Sequence, residues 1–139
     1  MYSRIMVTLE HTAHDRCILE HVEKLALHTG AAVILIHVAD GFAARNQGTL
    51  RLRESEEMRD DRAYLEQCAA QLEQAGIDAD AILASGDPSV EIVAAAEREQ
   101  VDLIAMATHG HGLINDIVRG SVANEVRHRS KIPVLLVRS

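Results

Sequence analysis

The segment from Ala107 to Ser121, ATHGHGLINDIVRGS, carries the residues best suited to bind a ligand. Gly110 and Gly112 allow positive φ and, without a Cβ, let a ligand approach the backbone. Gly120 and Ser121 precede a helical pattern, SVANEVRHR, whose first amides would have no intrahelical acceptor. Such amides can form an anion-binding nest without any basic side chain. Phosphate binding is therefore one interpretation of this segment, and a histidine metal site or a plain strand-to-helix turn are the alternatives.

The metal alternative rests on two histidine pairs, His109 with His111 and His11 with His14. No cysteine or carboxylate completes a recognisable zinc ligand set beside them, and spacing of i, i+2 in a loop is weak evidence. Solvated or hydrogen-bonded histidines are therefore favoured over a protein-held metal. The segment also lacks the lysine of GxxxxGK[ST], so it is not a P-loop of the NTPase kind.

Catalysis would require an acid/base pair or an activated nucleophile. Glu10 and His11 are adjacent at a strand end, where consecutive side chains point in different directions, and no nucleophile, lysine or arginine finger accompanies them. We expect no dedicated metabolic reaction, and at most slow ATP hydrolysis.

The elements that position these residues follow from hydrophobic periodicity. Apolar or β-branched runs predict strands over 4–9, 33–38, 77–85, 101–107 and 133–137, and helical spacing or start signals predict helices over 14–29, 54–75, 87–100 and 121–129. Residues 39–53, with two glycines and mixed polarity, predict a long loop. The β-α alternation predicts a doubly wound parallel sheet with helices on both faces. Ligands bind such sheets at the carboxyl ends of strands, here after the first, second and fourth strands.

Composition limits the function classes. The 139 residues suit a single domain over 1–139, and 47% hydrophobic with 25% charged residues is typical of a globular protein. A net charge of −7, with 2% aromatic residues and no Trp, disfavours nucleic acid and anionic membranes as partners. No apolar stretch reaches about 18 residues and the amino terminus is charged, so we expect a cytoplasmic protein. Cys17 and Cys68 are predicted to be buried or half-buried helix residues, not a disulfide.

The quoted loop also resembles the signature of the universal stress protein family, G-x2-G-x9-G-[ST]. Gly110, nine intervening residues, Gly120 and Ser121 match its order and spacing. Similar stretches run along nearly the whole chain, namely RIMV, ILIHVAD, GDPSVEIV, VDLIAMATHG, GSVANEV and IPVLLVR. The resemblance implies a Rossmann-like, adenine nucleotide alpha hydrolase-like sheet of five strands in the order 3-2-1-4-5. It also implies an ATP-binding stress-response protein that forms a homodimer.

The resemblance further implies which residues bind the nucleotide. Glu10 would face the ribose, the backbone of Val38 would contact adenine, and the loop and the following amide would hold phosphates, with Mg or Mn bridging them. The full predicted set is Thr8, Glu10, Val38, Ala107, Gly110, Gly120, Ser121 and Val122. The chain departs from the family at Ala107, where the signature has its first glycine, and at His11, where VDGS has glycine. These departures would either crowd the nucleoside or merely shift it. They favour the alternative of a dimeric stress protein that has lost its nucleotide and acts as an interaction module, whereas Gly110, Gly120 and Ser121 oppose it.

Two further segments suggest protein contacts. The charged run RLRESEEMRDDR, with Glu57 and Asp61 at i, i+4, predicts a solvated helix face or, with the loop before it, a partner-docking region over 39–60. The apolar run PVLLV would leave an exposed sheet edge in a monomer. Pairing this C-terminal strand with its twin would remove that edge, which favours a two-fold dimer.

Overall fold

Five parallel strands form one sheet in the computed structural model, which describes residues 1–40, 49–108 and 122–139, with side chains for all of these except 40 and 49–55. The strands are β1 (Arg4–Thr8), β2 (Ala32–Asp40), β3 (Ala79–Gly86), β4 (Leu103–Thr108) and β5 (Val134–Arg138). Their order is β3-β2-β1-β4-β5, as predicted. Val7 at the centre pairs with Leu35 of β2 and Ala105 of β4. Strand order therefore reverses beside β1.

Four helices connect these strands in the described parts of the chain: α1 (Asp15–Thr29), α2 (Thr49–Gln74), α3 (Pro88–Arg98) and α4 (122–129). The predicted stop signal at Gly30 is confirmed, because Gly30 has φ 75° and its amide donates to the carbonyl of Ala26. The predicted start of α3 is also confirmed. Asp87 accepts a hydrogen bond from the amide of Ser89, and Pro88 occupies the first turn.

The predicted loop over 39–53 is wrong at both ends. Strand β2 continues to Asp40 and helix α2 begins at Thr49, so that α2 has 26 residues. Residues 56–60 of this helix are exposed on every side. The predicted loop includes 49–53, TLRLR, because Leu50 and Leu52 are two residues apart and so lack the helical spacing of apolar residues. Residues 41–48 lie outside the described part of the chain.

The sheet is buried on both faces, which explains why its strands are continuously apolar. Alternate residues of each inner strand enter two cores: Ile5, Val7, Leu35 and Ala105 pack with α1 and α2, whereas Met6, Ile34, Ile36 and Ile104 pack with α3 and α4. Aliphatic side chains supply nearly all of both cores.

The cysteine prediction is confirmed: both thiols are free, with Cys68 buried and Cys17 partly exposed. Within the described residues, no helix is long and apolar enough to cross a membrane.

Candidate functional site

A cavity of about 250 Å³ opens at the carboxyl ends of β1, β2 and β4, where the strand order reverses. Parallel sheets place ligands at this point. The lining residues are mostly apolar with a few polar groups, a combination typical of small-molecule sites; they are Thr8, Leu9, Glu10, Thr12, Ile36, His37, Val38, Pro88, Ile92, Met106, Ala107 and Val122. The arrangement suits a ligand with an apolar ring and hydrogen-bonding substituents.

The structure brings together every predicted site residue that it describes. Thr8, Glu10, Val38, Ala107 and Val122 all line this one cavity, although they come from four separate parts of the chain. The remaining three predicted residues, Gly110, Gly120 and Ser121, lie outside the described residues. Binding of a nucleotide by this set stays a prediction.

His11, which replaces a family glycine, is directed away from the cavity. It adopts φ 62°, the left-handed conformation that glycine tolerates best. Its ring stacks on Tyr64 with centroids 4.1 Å apart, and its Nδ1 lies 2.7 Å from Oδ1 of Asp61. The imidazole is not part of the cavity wall, whereas the other departure, Ala107, is. The expectation that His11 crowds a ligand is therefore not supported by its position.

A buried carboxylate holds the loop between β1 and α1. Asp15, only 1% exposed, accepts hydrogen bonds from the amides of Glu10 at 2.9 Å and His11 at 2.8 Å. The Tyr64 hydroxyl donates a third bond to it at 2.7 Å. Burial raises the pKa of the Tyr64 phenol, and the hydrogen bond to Asp15 raises that pKa further. Tyr64 therefore remains a neutral donor at physiological pH.

His37 is a lining residue that the sequence reasoning missed. Its Nδ1 donates to the carbonyl of Leu9 at 2.8 Å, because a carbonyl oxygen can only accept. Its Nε2 lies 3.5 Å from Oδ2 of Asp61, so one carboxylate of α2 contacts both His11 and His37. The signal for His37 was its place at the carboxyl end of a strand beside the switch point.

Helices α3 and α4 also contribute to the wall of the cavity. Pro88 of α3 and Val122 of α4 line it. Next to Pro88, the buried hydroxyl of Ser89 lies 2.6 Å from Oε2 of Glu125, an exposed residue of α4. This hydrogen bond joins the two helices that carry the wall.

The histidine pairs weighed for metal binding are not assembled by the described residues. His11 faces Asp61, whereas His14 has its Nδ1 3.1 Å from the hydroxyl of Ser139. His109 and His111 lie outside the described residues. Across 1–40, 49–108 and 122–139, no group of three or more His, Cys, Asp or Glu side chains is arranged to hold a metal ion.

Fold and cavity together define a doubly wound α/β protein with a cavity at the switch point of its sheet. The chain belongs to the universal stress protein family, which it matches over residues 1–138. It is 30% identical to the universal stress protein MJ0577 of Methanocaldococcus jannaschii, over 99% of this chain and 96% of that one. A solved structure of MJ0577 superposes with a TM-score of 0.84, covering 100% of this chain and 97% of the other at 29% identity.

Two solved universal stress proteins with the same fold were determined with nucleotides. One, in complex with cAMP, has a TM-score of 0.71 at 21% identity and covers 99% of this chain and 97% of its own. The other, from Archaeoglobus fulgidus and in complex with dAMP, has a TM-score of 0.72 at 19% identity and covers 98% of each chain.

Proposed function

We propose that this protein is an adenine-nucleotide-binding regulatory protein of the stress response, with ATP as its ligand. The observation that carries the proposal is the convergence of Thr8, Glu10, Val38, Ala107 and Val122 on one cavity at the switch point. Family members in complex with cAMP and dAMP support the same ligand class.

The cavity fits the nucleoside part of such a ligand. Ile36, Ile92 and Met106 line the cavity and would give apolar contacts to a purine, and the backbone of Val38, also a lining residue, would contact its polar edge. Glu10, which lines the cavity, would accept hydrogen bonds from ribose hydroxyls. A volume of about 250 Å³ lies just under the usual range for small-ligand pockets, which starts near 300 Å³. The phosphates would therefore extend beyond it.

The phosphates would be held by main-chain amides. Val122 is the first described residue of α4, and first-turn amides of a helix lack intrahelical acceptors and attract anions. Gly110, Gly120 and Ser121 complete the proposed phosphate site. Mg or Mn would bridge the phosphate oxygens and not depend on a cluster of protein ligands.

Isothermal titration calorimetry with ATP, with and without magnesium, tests the proposal. We expect binding by the wild type, weakened about tenfold by Glu10→Gln, because the charged acceptor of the ribose hydrogen bonds becomes a weaker, neutral amide oxygen. Glu97→Gln, a matched change on an exposed part of α3, should leave the affinity unchanged. Ala107→Gly should tighten binding, since it removes a methyl group from the cavity wall. A Kd of about 1 mM corresponds to a binding free energy of only about 4 kcal/mol. If titration with ATP up to about 1 mM gives no heat of binding, the proposal is rejected.

Ala107 also favours the second candidate, a family member that acts as a dimeric interaction module without nucleotide. Its methyl group lies in the wall of the cavity, beside the expected ribose position. In that case Ala107→Gly would create ATP binding that the wild type lacks. The same titration therefore separates the two candidates.

We further propose a homodimer through β5. This strand is at one end of the sheet, and its Leu136 is 48% exposed. Pairing two such edges would bury Leu136 and satisfy the edge backbone groups. Sedimentation velocity should show a dimer that Leu136→Glu converts to monomer. Leu27→Glu, at a similarly exposed leucine of α1 (53%), should remain dimeric. Equal sedimentation coefficients for Leu136→Glu and Leu27→Glu would refute this interface.

The regulatory output would be a change in protein contacts, with the protein acting in the cytoplasm. The region 39–60 is the proposed partner surface, and within it residues 56–60 of α2, four charged residues and Met58, are all exposed. Bound nucleotide would act on this region through the loops that surround the cavity.

A further inference from the structure

The loop that carries Glu10 is held by local hydrogen bonds to Asp15 and, in addition, by helix α2, about 50 residues later in the chain. His11 has φ 62°, a backbone conformation that is unfavourable for residues other than glycine. His14, at the N-cap position of α1, makes no side-chain capping hydrogen bond. Other contacts must therefore offset the strain of this turn.

Those contacts converge on Asp15. One carboxylate oxygen, Oδ1, accepts from the amide of Glu10, and the other, Oδ2, accepts from the amide of His11 and from the Tyr64 hydroxyl. A buried carboxylate requires such donors, since burying it without partners is costly. Two consecutive amides are thus fixed in direction by one side chain, which itself is fixed by Tyr64.

Helix α2 contributes two neighbouring side chains to this network. Asp61 and Tyr64 are three residues apart and so lie on one face of the helix. Asp61 accepts from Nδ1 of His11, and the Tyr64 ring stacks on the same imidazole. Tyr64 therefore contacts the loop both by its hydroxyl, through Asp15, and by its ring, through His11.

We propose that Tyr64 is a positioning residue that acts through Asp15 to aim Glu10 at the ribose hydroxyls of a bound nucleotide. This inference rests on the proposed nucleotide site and adds a determinant of its sugar selectivity. Without the Tyr64 hydroxyl, the Asp15 carboxylate loses one of its three donors and turns toward a replacement, which releases the Glu10 amide.

Tyr64→Phe tests the inference, because it removes the hydroxyl and keeps the ring that stacks on His11. The matched control is Tyr2→Phe, at the only other tyrosine of the chain, which packs against the same core cluster. Titrations with ATP and 2′-deoxy-ATP give the selectivity. We expect Tyr64→Phe to weaken the binding of ATP about tenfold and the binding of 2′-deoxy-ATP less than about twofold. Tyr2→Phe should change neither affinity.

If Tyr64 has a purely structural role, Tyr64→Phe weakens the binding of both nucleotides equally. The ratio of the two affinities then stays at its wild-type value, and that result overturns the inference. Wild-type protein that binds neither nucleotide overturns the proposed function itself. Asp15→Asn serves as a second variant should Tyr64→Phe fail to fold, with the same expected loss of selectivity. Amide hydrogen exchange should accelerate at Glu10 and His11 in Tyr64→Phe, and unchanged exchange there would also refute the positioning role.

Discussion

The hydrogen bond between Ser89 and Glu125 should contribute measurably to the stability of the cavity wall. The Ser89 hydroxyl has one hydrogen, and its Oγ lies 2.6 Å from Oε2 of Glu125 and 3.1 Å from Oδ1 of Asp87. Asp87 Oδ1 already accepts from the Ser89 amide, so the shorter contact receives the hydroxyl hydrogen. Its length is that of a charge-assisted O–H···O⁻ bond.

Such bonds contribute roughly 1.5–3 kcal/mol. Glu125 is an exposed residue whose carboxylate can rehydrate, which favours the lower end. Alanine is also a better helix former than serine by about 0.5 kcal/mol. We therefore expect Ser89→Ala to lower the free energy of unfolding by about 1 kcal/mol. For a chain of 139 residues this corresponds to a fall of roughly 3–5 °C in Tm.

A double-mutant cycle isolates the pair. Urea unfolding followed by circular dichroism would be measured for Ser89→Ala, Glu125→Ala and the double variant, with an expected coupling of about 1 kcal/mol. Ser85, exposed on β3, provides the control, because Ser85→Ala and Glu125→Ala should be additive within about 0.3 kcal/mol. Equal coupling in the two cycles would show that the short contact does not stabilise the wall.

Two further predictions follow from local features. Burial raises the pKa of the Cys68 thiol, so a thiol reagent at pH 8 should modify Cys17 quickly and Cys68 only on unfolding; two equally fast thiols would contradict this. Because the unfolded thiol ionises first, stability should also decline as the pH rises above about 9, and Cys68→Ala should flatten that decline relative to Cys17→Ala. Gln100 follows α3 with φ 55°, and Gly30 follows α1 with φ 75°, a conformation that favours glycine at both positions. In urea unfolding, Gln100→Gly should therefore stabilise the protein by about 0.5 kcal/mol, whereas Gly30→Ala should destabilise it by about 1 kcal/mol. A destabilised Gln100→Gly variant would show that the left-handed turn is not strained there.

The features predicted correctly from sequence are those that depend on near neighbours. Strand burial follows from apolar runs, and the ends of α1 and α3 follow from Gly30, Asp87 and Pro88, whose backbone preferences act within one turn. The start of α2 at Thr49 was not predicted, because Leu50 and Leu52 alternate with polar residues and so give no local helical period. The strand order came from family resemblance, because β-α alternation alone permits several orders.

The contacts that shape the site depend instead on residues far apart in sequence. Asp61 and Tyr64 fit a solvated or core-facing helix pattern, and nothing in that pattern indicates that they meet His11 and Asp15. The sequence therefore leaves open whether a histidine in place of a turn glycine crowds the nucleoside or merely shifts it. Its actual direction is set by the left-handed backbone together with the Tyr64 ring and the Asp61 carboxylate, which receive the imidazole away from the cavity. A residue that is locally unfavourable in a turn can thus stabilise that turn when a distant helix supplies the partners. For His11, helix α2 supplies them and so determines the direction of the imidazole.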